Sequence, residues 1–158
     1  ETFCSDRSIT SGSGYLTTPS TFYGAYTRLQ DRKTPSLKCS QDNDKFKMSN
    51  ESAKLDYPVA LITADEVALA GGRAYYNGAY SPNSNYYLYN GNYFWTLSPS
   101  GFRSNRSAAF VWAVLPSGSL NPGYGVTSSI GVRPVINLKA DTLITKGDGS
   151  SLNPFVVS

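Results

Sequence analysis

The stretch YPVALITADEVALAGG, Tyr57 to Gly72, constrains this chain's fold more than any other. Thr63 stands three positions before Glu66. A helix starting at Ala64 therefore carries a capping box. The Thr63 hydroxyl accepts from the Glu66 N–H, and the Glu66 carboxylate accepts from the Thr63 N–H. Acidic residues in the first turn suit the helix dipole. Gly71-Gly72 ends the helix by supplying positive φ. The spacing predicts a short helix over 64–70, and capping accounts for Asp65 and Glu66 without assigning them to catalysis. Elsewhere the chain is suited to strands and turns, with twelve Tyr and fourteen Gly against one Met.

Other segments fit that frame. TFYGAYTRL, Thr21 to Leu29, suits a strand or a short helix, and its periodicity does not decide. The aromatic-rich residues 73–92 predict an irregular ordered loop, because aromatics at that density tend to bury. YFWTLSP reads as a buried strand, with Tyr93, Trp95 and Leu97 on one side and Phe94 and Thr96 on the other. A second strand covers Ala108 to Leu115, followed by the turn Pro116-Ser117-Gly118. In GVRPVINL, Gly131 to Leu138, Pro134 demotes the strand to an edge or forces a bulge. A strand, a Gly-Asp-Gly turn and a last short strand close the chain. No internal repeat is evident.

A length of 158 residues suits one domain. With 40% hydrophobic and 16% charged residues, it can bury a core. The net charge of +3 is spread along the chain, without the basic stripe of a nucleic-acid binder. No apolar run reaches membrane-spanning length, so no membrane insertion by this segment is expected. No signal peptide is visible, and the start at Glu1-Thr2-Phe3-Cys4 is expected to be that of a mature or trimmed ectodomain. Cys4 and Cys39 read either as two separate buried thiols or as one disulfide. An even count, polar surroundings and no CxxC pattern favour the disulfide. Closing that loop would stabilise the fold by roughly 3–4 kcal/mol. Asn50-Glu51-Ser52 and Asn105-Arg106-Ser107 match the glycosylation sequon, a pattern common by chance.

The inventory for chemistry is short. There is no His, which removes the commonest general base and the commonest transition-metal ligand. Zinc-type Cys clusters and Walker or dinucleotide glycine patterns are absent. Asp141 and Asp148 flank a strand, but turn chemistry accounts for Asp148 between Gly147 and Gly149. Oxygen ligands around Asp148 and Asn153 leave calcium as an alternative; no metal and no cofactor is the expectation.

YFWTLSPSGF, then AAFVWAV with its PSG turn, then GVRPVINL resemble the C-terminal part of C-type-lectin-like domains of the formylglycine-generating-enzyme type. Trp95, Ser98, Gly131, Val132 and Arg133 sit at the matching places over roughly residues 57–140. That resemblance implies a buried Trp95, with Leu97 beside it in the core. The enzymes of that type use a copper-binding cysteine pair near the C-terminal end, where this chain has none, so the resemblance carries the fold and not the reaction. YPVALITADE, NYYLYNGNYFWTLSP, TPSLKCSQDNDKF and GVRPVINLKADTLITKGDGSSLNPFVV also resemble a bacterial family of exported surface proteins. Some of its members carry a pilin-like N-terminal segment, and some resemble prophage proteins. That family supplies no activity.

The resemblance implies a single α+β C-type-lectin-like domain over 1–158, with mostly antiparallel strands and few short helices. Residues 1–56 would form a disulfide-stapled part and 57–158 the sheet and loop part. Ligands of such domains meet the segment before the GVR strand, which diversity-generating retroelements vary in related proteins. The ligand face expected here comprises Phe102, Arg103, Asn105, Arg106, Trp112, Ser117, Asn121 and Tyr124. Tyr and Trp bring contact area at low entropic cost, and Arg, Asn and Ser bring adaptable hydrogen bonds. The competing reading puts Trp112 in the core and leaves the Arg residues solvated. The expected function is non-catalytic adhesion or display on a bacterial surface, pilus or phage, toward a protein or glycan. The rivals are a structural pilin-like filament subunit and, last, an enzyme with an unrecognised site.

Overall fold

The computed structural model describes residues 2–39, 41–74, 86, 88–106, 108–150 and 152–158, without the side chain of Arg106. Most of the aromatic loop expected over 73–92, namely 75–85 and Tyr87, lies outside the described residues, as does Ser107 of the second sequon. The elements in chain order begin with β1 (Phe3–Cys4), β2 (Ile9–Ser11) and β3 (Thr21–Tyr23). Helix α1 (Gly24–Tyr26) follows and runs into a π-helical turn, Thr27–Arg32. Next come β4 (Lys45–Phe46), β5 (Ala60–Leu61), α2 (Ala64–Leu69) and β6 (Arg73–Ala74). The long strands β7 (Phe94–Arg103), β8 (Ala108–Val114) and β9 (Ser119–Gly125) precede β10 (Pro134–Val135), β11 (Ile144–Lys146) and β12 (Val156–Val157). The ambiguous Thr21–Leu29 stretch is thus both a strand and a helix, changing over at Gly24.

Six strands form one sheet in the order β2-β3-β7-β8-β9-β6. Only β6 against β9 is parallel among the paired strands described. The architecture is mixed α+β, mostly antiparallel, with few short helices. Ala25, Leu29, Ile62, Ala64, Val67, Tyr86, Phe94, Trp112, Val114 and Leu120 form a core between one sheet face and the helical segments. Tyr86 packs into it with its hydroxyl donating to the Gly118 carbonyl at 3.0 Å, and burial pushes its phenol pKa up.

Helix α2 carries the expected capping box. Glu66 N–H donates to Thr63 Oγ1 at 3.1 Å, and Thr63 N–H donates to Glu66 Oε2 at 2.7 Å. Gly71 follows at φ +114°, where a side chain would be strained. Cys4 and Cys39 form the disulfide, 35 residues apart. The GVRPVINL strand shrinks to β10, paired only with β5, in line with Pro134 as an edge residue.

The expectation for β7 is reversed. Phe94, Thr96, Ser98 and Ser100 are buried, while Trp95 and Leu97 are only half-buried on the opposite face. The reason lies in the hydroxyls. Thr96 Oγ1 donates to the Trp112 carbonyl at 2.8 Å, and Ser98 Oγ accepts from the Ala64 N–H at 2.9 Å. A buried hydroxyl so paired escapes its desolvation penalty. The polar side of the strand therefore faces inward beside Phe94. The β7–β8 register also shifts between Trp95 and Pro99, and again between Pro99 and Gly101. Pro99 has no N–H for a regular ladder and sits between the two irregularities.

Candidate functional site

Directly paired residues on neighbouring strands share a sheet face. Trp95 pairs with Ala113, and Ala113 with Asn121. Pro99 pairs with Val111, and Val111 with Tyr124. These residues point away from the core, and strand alternation adds Tyr93 to them. The result is an aromatic trio on the outer face. The Tyr93 and Tyr124 ring centroids lie 5.6 Å apart, and Trp95 meets Tyr124 nearly edge-on, 6.1 Å away with an interplanar angle of 85°. Such separations and tilts are favourable for aromatic quadrupoles. Tyr93 is 42% exposed, Trp95 and Tyr124 are half-buried, and Ala113 is fully buried.

Gly131 holds the trio's leading edge. Its N–H donates to the Tyr93 carbonyl at 3.1 Å, and its carbonyl accepts from the Trp95 N–H at 3.0 Å. A Cβ at this position would come within 2.6 Å of the Tyr93 carbonyl oxygen. The glycine of the GVR motif thus permits a close backbone approach. Segments 93–99, 108–114 and 119–125 contain no charged residue. The outer face offers ring surface, phenol and amide groups, and no formal charge from these strands.

The eight expected face residues do not come together. Trp112 is fully buried in the core, as the competing reading had it. Phe102 pairs with Ala109 on the outer face, yet Tyr15 covers it at 4.5 Å and leaves it 2% exposed. Arg103 turns to the other face, its guanidinium 5.1 Å from the Phe110 ring. Asn105 is exposed in the short turn Ser104–Arg106. The backbone of Arg106 ends that turn; its side chain lies outside the described atoms. Ser117 sits at the β8–β9 turn and donates to Ser119 Oγ at 3.1 Å. Asn121 Oδ1 accepts from the Gly123 N–H at 2.6 Å. A seven-residue strand separates the two turns, about 20 Å at 3.3 Å per residue. Only Asn121 and Tyr124 join Tyr93 and Trp95. Alternation had already grouped Tyr93 with Trp95, and the buried hydroxyls of Thr96 and Ser98 are the signal that turns that side outward.

A second constellation ties the N-terminal part to α2. Arg28 Nε and Nη2 donate to the two Asp65 carboxylate oxygens at 2.9 and 2.8 Å. Arg28 Nη1 donates to Asp6, and the Ser36 N–H donates to Asp65 at 2.9 Å. Burial raises the Asp6 carboxyl pKa, but hydrogen bonds from Ser8 and Arg28 outweigh it and hold the group below its ordinary value. Hydrogen bonding to Asp65 holds the Arg28 guanidinium further above its usual range. Cys4, Asp6, Arg28, Ser36, Thr63 and Glu66 help line a cleft of about 180 Å³ here. The Arg28, Asp6 and Asp65 side chains in it are engaged with one another, which makes this a clasp between chain segments. Capping therefore explains Glu66 but not Asp65, whose carboxylate is the Arg28 partner. At the chain end, Asp148 Oδ1 accepts from the Ser150 N–H at 2.9 Å, as its turn reading requires.

No family model, curated protein or solved structure matches this chain.

Proposed function

We propose that this chain is a non-catalytic ligand-binding domain for adhesion or display on a bacterial surface, pilus or phage, built as a C-type-lectin-like domain. One observation carries the reading: Tyr93, Trp95 and Tyr124 form a partly exposed aromatic trio on the side of the sheet away from the core. Aromatic residues presented on a rigid sheet give contact area at low entropic cost. The Cys4–Cys39 disulfide suits an oxidising, extracellular location. The contact face is the trio with Asn121 beside it, in place of the turn-based face the sequence suggests. The test is an array carrying both surface proteins and glycans, probed with the labelled intact chain. Specific hits that are lost in the Tyr93→Ala and Trp95→Ala variants support the reading. No hit of either kind overturns it.

A specific observation favours a filament subunit as the second reading. Leu143, Ile144, Leu152 and Phe155 near the C-terminal hairpin are all more than half exposed, Leu152 at 96%. Exposed apolar clusters mark interaction sites. Concentration-dependent association in sedimentation, abolished by Ile144→Lys, supports that reading; a monomer at all concentrations refutes it.

A further inference from the structure

We infer that the Tyr93–Trp95–Tyr124 trio binds the ring face of a neutral pyranose sugar. The inference rests on the ligand-binding reading above and names the ligand class. The argument is one of charge and shape. An aromatic face carries negative quadrupole density, and the axial C–H groups of a pyranose carry the complementary partial positive charge. Tyr93 presents nearly half its surface, Tyr124 lies 5.6 Å from it, and Trp95 lies 6.1 Å from Tyr124. A sugar ring stacked there meets a mixed apolar and hydroxylated surface, with no ion of segments 93–99, 108–114 or 119–125 to desolvate.

The neutrality of the strands separates this ligand from the others that stack on aromatics. Single-stranded nucleic acid needs Lys or Arg along the groove for its phosphates. An anionic membrane surface needs the same cations beside its aromatics. Acidic or sulfated glycans need them too. Protein hot spots combine Trp and Tyr with Arg. Segments 93–99, 108–114 and 119–125 contribute none of these, and Arg103, the cation on β7, faces the other way over Phe110. Strand segments without formal charge are complementary to a neutral ligand.

A lone sugar on so open a surface binds in about the millimolar range, so clustered presentation is needed to read it. The chain is applied to an array of neutral, sialylated and sulfated glycans at several densities. Neutral hits are then titrated as free oligosaccharides, with acrylamide quenching of tryptophan as the readout. Trp112 is shielded throughout, so protection by sugar reports on Trp95. The expected result is neutral hits, protection of Trp95, and about tenfold or greater loss of affinity in Tyr93→Ala with its melting temperature retained. The quenching measurement needs no variant and stands if a substitution fails to fold. Hits confined to acidic glycans, neutral hits that Tyr93→Ala leaves intact, or sugar binding without protection of Trp95 overturn the sugar inference. A protein ligand lost in the same variants overturns it while the ligand-binding reading survives. No ligand of either kind ends both.

Discussion

Replacing Asp65 with Asn tests whether the Arg28 clasp holds the fold together. Asp65 is 3% exposed and accepts three hydrogen bonds, two from Arg28 and one from the Ser36 N–H. Asn keeps the shape and removes the charge. Its amide NH₂ must then face a guanidinium N–H, donor against donor. Breaking a buried ion pair on one side costs about 3–5 kcal/mol. The Arg28 side chain is 21% exposed, so water screens part of that, and the expected loss is about 2–4 kcal/mol. For a chain of this length each kcal/mol lowers the melting temperature by about 2–4 °C, which gives a drop of about 5–15 °C. The assay is urea unfolding at neutral pH, followed by tryptophan fluorescence and extrapolated linearly to water. Arg28→Met strands Asp6 and Asp65 together, and the cycle with Asp65→Asn should show a coupling of about 1 kcal/mol or more. A loss under about 1 kcal/mol in Asp65→Asn, or additive single variants, would show that the clasp is a surface contact of little energetic consequence.

Three further outcomes follow from the same structure. Removing the disulfide with Cys4→Ser and Cys39→Ser should lower stability by about 3–4 kcal/mol, measured by urea unfolding, since the bond closes a long loop of the unfolded chain. Trp112→Ala should cost about 3–5 kcal/mol in the same assay because its site is fully enclosed, whereas Trp95→Ala should cost about 1 kcal/mol; equal losses would contradict the assignment of faces. Asp6 has a folded-state pKa below its ordinary value of 3.8. Its contribution to stability is therefore complete above that value and is lost as pH falls through the lower folded one. Melting temperatures below about pH 4 should fall less steeply in Asp6→Asn than in the native chain.

The elements legible in advance are those whose causes lie within a few residues. The capping box of α2 was readable because Thr63 and Glu66 are three apart, and the Gly71-Gly72 stop lies just beyond. The β8 strand and its PSG turn were readable for the same reason. The disulfide was favoured over two separate thiols by the even count, the polar surroundings and the lack of a CxxC pattern. The proposed ligand face was not readable. It depended on which side of β7 is buried, and the side richer in apolar residues is the one left outside.

The chain's own order of residues thus determined where helix α2 begins and ends, that strands run over 94–99 and 108–114, and that a cross-link could join Cys4 to Cys39. These follow from local hydrogen bonds, backbone preferences and cysteine count. Tertiary structure alone decided that Thr96 and Ser98 enter the interior, because their partners are backbone groups of Trp112 and Ala64, 16 and 34 residues away. It alone paired Arg28 with Asp65 across 37 residues, and it alone brought Tyr124 to Tyr93 and Trp95 through a β8–β9 register that shifts between Val111 and Ala113. Distant groups that satisfy one another override the local pattern, since a buried donor or acceptor left unpaired costs more than a half-buried tryptophan loses.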